Sequence, residues 1–210
     1  MTIITLASGG IDSLVMAKLI EKENEQQIPL FIDYGQLAAE KEWEACKKVF
    51  KMSNLPNPIK IDLSGYGKLI KSGITDSSID IHEQAFLPGR NLLFLVIASA
   101  FAHQKDAKKI AIGLLLEELH LFPDQTSRFI VNANMAVNEA MDEDLVIVTP
   151  LIKFTKNDVI KLAKHYNLLL EETYSCHSGQ DKYCDKCISC RELRDASEGK
   201  DLPQFKRGDD

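Results

Sequence analysis

Residues 2–13 read T-I-I-T-L-A-S-G-G-I-D-S, and this stretch joins the end of a strand to the start of a helix. The apolar run 3–6 contains β-branched residues, which predicts a buried strand. After Gly9 and Gly10, apolar residues recur at helical spacing from Leu14 onward. Glycines let the backbone approach a ligand, and the N–H groups of a first helical turn point at it. The stretch therefore predicts an anion-binding loop.

The loop lacks the spacing of the common nucleotide-binding loops. It has no Walker lysine and no G-x-G-x-x-G, so neither a P-loop nor a dinucleotide site is supported. The order S-G-G-I-D-S instead resembles the pyrophosphate loop of the N-type ATP pyrophosphatase superfamily, whose members cleave ATP between the α and β phosphates. This implies that Ser8 and Ser13 hold pyrophosphate, while Asp12 suits magnesium because its charge repels phosphate. A plain helix start capped by Asp12 or Ser13 is the alternative.

Composition and charge narrow the class of protein. The chain has 210 residues, a net charge of −6 and a pI near 5.4, which fits one large domain or one domain with an appendage. An acidic chain argues against an extended nucleic-acid surface and against binding to anionic membrane. The start of the chain shows no signal-peptide pattern, and the apolar run 92–102 is too short to span a bilayer. We expect a cytoplasmic protein with no membrane partner.

Short apolar runs alternate with helical patterns along the rest of the chain. Strands are predicted near 29–33, 59–63, 109–113 and 145–149, and helices over 38–52, 92–103, 129–141 and 155–166. The alternation is typical of βαβ units, so the predicted fold class is α/β, with a doubly wound parallel sheet of five strands. Ligands of such sheets lie beyond the carboxyl ends of the strands. Residues 64–84 show no periodicity, which predicts a long loop that could act as a lid.

Four of the five cysteines lie close together, with the spacing C-x7-C-x2-C-x2-C: Cys176, Cys184, Cys187 and Cys190. In an acidic chain with no secretory pattern, this cluster indicates metal binding rather than disulfides. Four thiolates without an open position are typical of structural Zn²⁺; an iron–sulfur site is the competing interpretation, and His177 is a competing ligand. We expect an α/β domain over 1–170, a zinc-binding segment over 171–197 packed on it, and a flexible tail over 198–210.

Further motifs occur in order along the chain: F-I-D-Y-G-Q at 31–36, L-P-G-R-N at 87–91, Y-S-C at 174–176 and C-D-K-C-I-S-C-R at 184–191. Together with the loop at 8–13, they resemble the 7-cyano-7-deazaguanine synthase family of queuosine biosynthesis, from about residue 3 to about residue 194. The resemblance implies an ATP-dependent ligase that forms C–N bonds. A first ATP would activate 7-carboxy-7-deazaguanine as an acyl adenylate, which ammonia converts to the amide. A second ATP would adenylate the amide and leave the nitrile, with AMP and pyrophosphate released.

The same resemblance implies structural Zn²⁺, Mg²⁺ bound to ATP, and a homodimer. It assigns catalysis to Asp12, Arg90 and Lys156. ATP would contact Ala7, Ser8, Gly9, Gly10, Ile11, Asp12, Ser13, Ile32 and Asp33. The deazapurine acid would contact Tyr34, Gln36, Arg90, Asn91, Glu117 and Asp124. Simpler roles remain open, because Lys156 could be a solvated first-turn lysine, Arg90 a surface arginine and Asp33 a helix cap.

The chain departs from the family pattern in motifs that would bind the acid and the amine, outside the ATP loop. Leu37 and Ala38 replace an Arg-His pair, the run 114–118 lacks an aspartate, and F-P-D-Q-T at 122–126 lacks the family's cysteine and arginine. Because the ATP-side motifs are kept, we hypothesise a divergent paralogue that joins a deazapurine acid to another amine, such as a protein acceptor. A tRNA-modifying pyrophosphatase such as a thiolase shares the loop, although the acidic charge counts against it. A zinc-stabilised binding module without catalysis is the alternative from another class.

Overall fold

A parallel sheet lies at the centre of the computed structural model, which describes residues 2–116 and 122–197. Its strands are β1 (Thr2–Ala7), β2 (Gln26–Asp33), β3 (Ile59–Asp62), β4 (Lys109–Ala111) and β5 (Val146–Val148). They pair in the order β3-β2-β1-β4-β5, and every pairing is parallel. The prediction of an α/β fold with five parallel strands is confirmed, and β1 is its central strand.

Helices cover both faces of the sheet. They are α1 (Ile11–Lys22), α2 (Ala39–Met52), α3 (Gly65–Leu69), α4 (Arg90–Gln104), α5 (Ser127–Met141), α6 (Lys156–His165) and α7 (Ile188–Ala196). One apolar core lies between the sheet and α1, α2, α6 and α7, and a second lies between the sheet and α4 and α5. Strands buried on both faces explain why the strand segments read as apolar runs rather than as alternating patterns.

Two helices, α3 and α7, lie where the sequence pattern predicts none. Helix α3 has five residues, two of them glycine, which is too short for a helical period to appear. The segment 64–84 therefore begins with a short helix, and it contributes a buried side chain to the second core, since Ile74 is only 1 % exposed. Helix α7 follows the cysteines and contributes Leu193 to the first core.

A capping box is present at the start of α6. Thr155 Oγ1 accepts a hydrogen bond from the Asp158 N–H at 3.2 Å, and the Asp158 carboxylate accepts one from the Thr155 N–H at 3.1 Å. These bonds determine where α6 begins, and they place Lys156 at its first position.

Helix α4 is the most apolar of the longer helices, but it is shorter than the roughly 20 residues that span a bilayer. It spans 15 residues, and Leu95, Ala98 and Ala102 are buried in the second core. Over residues 2–116 and 122–197, no helix combines the length and the apolar character needed to cross a membrane.

Candidate active site

The loop between β1 and α1 is closed by two serine side chains. Ser13 Oγ donates to the Gly10 carbonyl at 3.0 Å and accepts from the Ser8 N–H at 3.1 Å. The Ser8 and Ser13 hydroxyl oxygens are 3.1 Å apart. Helix α1 begins without any side-chain cap, so neither Asp12 nor Ser13 caps it. An uncapped helix start beside two hydroxyls is suited to an anion.

Gly9 lets this loop pass close to α2. Its φ of +79° lies in the left-handed region that glycine adopts without steric cost. A β carbon at this position would overlap the backbone carbonyl of Glu42 and lie 2.9 Å from the backbone nitrogen of Cys46. Both atoms belong to α2, so the loop and this helix are in direct backbone contact.

Asp12 and Lys156 form an ion pair across 144 positions of sequence. Lys156 Nζ lies 2.5 Å from Asp12 Oδ2, and Lys156 is only 8 % exposed. Lys156 is therefore not a solvated lysine. The second carboxylate oxygen, Asp12 Oδ1, is buried and has no hydrogen-bond partner among the described residues. An orphaned carboxylate oxygen beside an anion-binding loop fits a divalent cation.

The end of β2 places a polar cluster next to the loop. Asp33 accepts from the Gly35 N–H at 3.1 Å and pairs with Lys60 at 2.9 Å, so its carboxylate is held within the turn and does not cap α2. Gln36 Oε1 accepts from the Tyr34 N–H, and Gln36 Nε2 donates to Glu42 Oε2 at 2.8 Å. Burial raises the pKa of Glu42 to about 7 and the pKa of Tyr34 to about 12.

Arg90 and Asn91 begin α4 opposite this cluster. The Arg90 guanidinium lies 5.7 Å from the centroid of the Tyr34 ring, and its Nη1 donates to the Tyr34 hydroxyl at 3.4 Å. Asn91 Nδ2 donates to the Asp124 carbonyl at 2.9 Å, and the Asn91 N–H donates to the Asp124 carboxylate at 3.3 Å. Asp124 therefore holds the start of α4 in place.

These groups face one cavity of about 250 Å³ at the carboxyl ends of the strands. The predicted site residues that line it are Ala7, Ser8, Gly10, Asp12, Ser13, Ile32, Tyr34, Gln36, Arg90 and Asn91. Gly9, Ile11, Asp33 and Asp124 are not part of its lining, and Glu117 lies outside the described residues. Lys156 lines a neighbouring cavity of about 740 Å³ that shares Asp12, Gly113, Leu114 and Gln125 with the first.

The cavity also contains residues that are not among the predicted site residues, although Tyr174, Ser175 and Ser189 belong to quoted motifs. Glu42 comes from α2, Phe94 comes from α4, and the cysteine segment supplies Tyr174, Ser175, His177 and Ser189. Burial, followed by the charge of Arg90, lowers the pKa of His177 to about 4. His177 thus faces the cavity rather than joining the cysteines.

The four clustered cysteines form a compact set of sulfur ligands. Their Sγ atoms all lie within 4.8 Å of one another. Cys176, Cys187 and Cys190 are buried, whereas Cys184 is partly exposed. Hydrogen bonds from the Cys187 and Cys190 thiols hold the pKa of Cys176 well below its usual range. The donors and their spacing fit a bound metal ion.

Comparison with known proteins decides the family. The family model for queuosine biosynthesis protein QueC matches residues 2–199. The chain belongs to the QueC family. The 7-cyano-7-deazaguanine synthase of Nautilia profundicola is 33 % identical over 198 residues, covering 90 % of this chain and 89 % of that protein. The synthase of Campylobacter jejuni subsp. doylei is 34 % identical over 197 residues, covering 88 % of each chain. The predicted family is confirmed.

Solved structures share the fold of this QueC-family chain but little of its sequence. NMN synthetase from Francisella tularensis aligns with a TM-score of 0.54 and 15 % identity, covering 97 % of this chain and 79 % of that one. A 4-thiouridine synthetase–RNA complex with bound ATP aligns with a TM-score of 0.54 and 16 % identity, covering 94 % and 50 %. The U34-tRNA thiolase NcsA from Methanococcus maripaludis, with its 4Fe-4S cluster, gives 0.53 and 17 %, covering 94 % and 64 %.

Proposed function

We propose that this chain is an adenylating synthase that converts 7-carboxy-7-deazaguanine and ammonia to 7-cyano-7-deazaguanine, using two ATP. One observation carries the proposal: the 8–13 loop faces Arg90 and Tyr34 across a single cavity, in a chain whose curated relatives are 7-cyano-7-deazaguanine synthases. Adenylation of an acid needs an anion loop for the phosphates and a cation for the carboxylate on opposite sides of the same space.

The ATP end of the cavity is formed by the loop and the strand ends. The adenosine part would rest on Ala7 and Ile32, while Ser8, Ser13 and the first turn of α1 hold pyrophosphate. Asp12 Oδ1 would bind Mg²⁺, which neutralises charge on the departing pyrophosphate. Lys156 is held against Asp12 and would contact the same phosphates from α6.

The acid end of the cavity is formed by β2 and α4. The planar fork of Arg90 suits a carboxylate. Tyr34 and Phe94, with ring centroids 5.3 Å apart, offer aromatic surface for the deazapurine. Gln36 and Asn91 supply amide groups that can read the edge of the base. Asp124 would act through Asn91, and Glu117 remains a predicted contact.

We propose Zn²⁺ as the metal of the cysteine set. Four thiolates within 4.8 Å fill a tetrahedral site and leave no open position, as structural zinc requires. An iron–sulfur cluster would place several iron and sulfide atoms between the thiolates and would hold them farther apart. Zinc would hold the 171–197 segment against the α/β domain, and Ser175 and His177 would then stay in the cavity. We further propose a cytoplasmic homodimer.

A redirected acceptor is the second candidate function. Gln125 lines both cavities and stands where the family pattern has cysteine. The side chain beside the activated acid would therefore be an amide where the family has a thiol. The same adenylation would then join the acid to a different amine, for example that of a protein.

Mass spectrometry of the products tests these proposals. The protein is incubated with Mg²⁺-ATP, 7-carboxy-7-deazaguanine and ammonium, and nitrile, AMP and pyrophosphate are the expected products. Release of pyrophosphate that stops at the acyl adenylate, or release of AMP that stops at the amide, would favour the redirected acceptor, and no cleavage of ATP would overturn both. Asp12→Ala should abolish AMP release, whereas Asp181→Ala, at an exposed surface position paired with Lys41, should not.

A further inference from the structure

We propose that the Glu42 carboxylate is the proton acceptor for the amine that attacks the activated acid. This inference rests on the proposed adenylation and adds a catalytic residue to its second half. The amine nitrogen attacks the carbonyl carbon of the acyl adenylate, a C–N bond forms and the C–O bond to AMP breaks. The proton that the nitrogen loses passes to the Glu42 carboxylate, and AMP leaves with the electron pair of the broken bond.

Glu42 lies in the right place for this step. The backbone of α2 touches the loop at Gly9, so the side chain of Glu42 starts beside the predicted phosphate site. Its carboxylate lines the same cavity as Ser8, Tyr34 and Arg90. The activated carbonyl must lie between the loop and Arg90, which is the space that Glu42 borders.

The charge of Glu42 makes it unsuitable as a ligand for the phosphates or for the carboxylate of the acid. A carboxylate repels both the triphosphate and the carboxylate of the acid. Among the described residues lining the cavity, only Asp12 and Glu42 carry carboxylates, and Asp12 is already paired with Lys156. The proposed reaction has two kinds of cationic participant, Mg²⁺, which is assigned to Asp12, and the amine in its ammonium form. Glu42 is therefore the carboxylate left to bind the amine.

The surroundings of Glu42 support proton transfer at neutral pH. Gln36 Nε2 holds Oε2 at 2.8 Å and so orients the carboxylate. Burial raises the pKa of Glu42 to about 7, while the hydrogen bond from Gln36 and then the charge of Arg90 oppose that rise. The Tyr34 phenol, whose pKa is about 12, stays protonated beside it. A general base is most effective when its pKa lies near the working pH.

The test separates the two halves of the reaction in a Glu42→Gln variant. This substitution keeps the shape of the side chain and its acceptor for Gln36 but removes the base. Exchange of labelled pyrophosphate into ATP, dependent on 7-carboxy-7-deazaguanine, should stay within about two-fold of wild type. Formation of the amide from ammonium should fall about 10²–10⁴-fold. Glu44→Gln, on the exposed side of α2, is the matched control and should change neither rate.

Different failures have different meanings. Absence of exchange in the wild type would overturn the proposed function itself. Equal amide formation in the wild type and in Glu42→Gln would overturn only the role of Glu42, and so would an equal loss of both half-reactions in a folded variant. Hydroxylamine is less basic than ammonia and unprotonated at neutral pH, so it should restore much of the lost rate. If Glu42→Gln does not fold, Glu42→Asp replaces it, with hydroxylamine expected to react disproportionately faster than ammonium.

Discussion

Replacing Gly9 with alanine should destabilise the protein and push α2 away from the phosphate loop. The φ of +79° costs an alanine about 1–2 kcal/mol. The added β carbon would overlap the Glu42 carbonyl and lie 2.9 Å from the Cys46 nitrogen. Both are backbone atoms, so no rotamer change relieves the contact, and overpacking of this kind costs about 1–3 kcal/mol. The expected loss in the free energy of unfolding is therefore about 2–5 kcal/mol.

Urea unfolding followed by circular dichroism, with zinc in excess, measures this loss. Gly65→Ala is the matched control, because a β carbon at Gly65, the first residue of α3, would meet nothing within 4 Å. Its stability should be unchanged or higher by up to about 1 kcal/mol. Pyrophosphate exchange should also drop in Gly9→Ala and not in the control. A Gly9→Ala protein within about 0.5 kcal/mol of wild type would refute the close contact between loop and helix.

Three further substitutions probe the rest of the site. Cys187→Ser should lose its zinc, which elemental analysis after gel filtration measures. The variant should also melt at a lower temperature, because metal binding supplies folding energy to the segment. Full retention of zinc would contradict the four-cysteine set. Asp12→Asn should abolish pyrophosphate exchange and leave the buried Lys156 with Glu192, at 4.0 Å, as its remaining acidic partner among the described residues. The expected destabilisation is about 1–3 kcal/mol in urea, below that of a fully buried pair because the Asp12 side chain is 29 % exposed; an unchanged midpoint would argue against the pair. Asn91→Ala should orphan the Asp124 carbonyl at a cost of about 1–3 kcal/mol and raise KM for the acid more than KM for ATP; an equal rise in both would contradict its place at the acid end.

Elements with strong local signals were predictable. The strands are set by the apolar pattern, and the start of α6 is set by hydrogen bonds between near neighbours, so both appear at about the predicted positions. Helix α3 was not predictable, because five residues with two glycines have no helical period and depend on packing with Ile74 and the loop around it. The strand β2 also begins three residues earlier than Pro29, at Gln26, where its pairing with β1 rather than any apolar run decides the start.

The alternation of strands and helices, the phosphate loop after the first strand and the four-cysteine set can all be read from the amino-acid sequence. Each of these depends on residues close together in the chain, whose spacing limits what they can form. The fold is needed to see that Lys156 pairs with Asp12 across 144 positions, and that Glu42 and His177 share a cavity with Arg90. The reason is the strand order, because a central β1 brings loops from distant segments to one edge of the sheet. Which side chains meet there depends on their distance in space and leaves no pattern among neighbouring residues of the sequence.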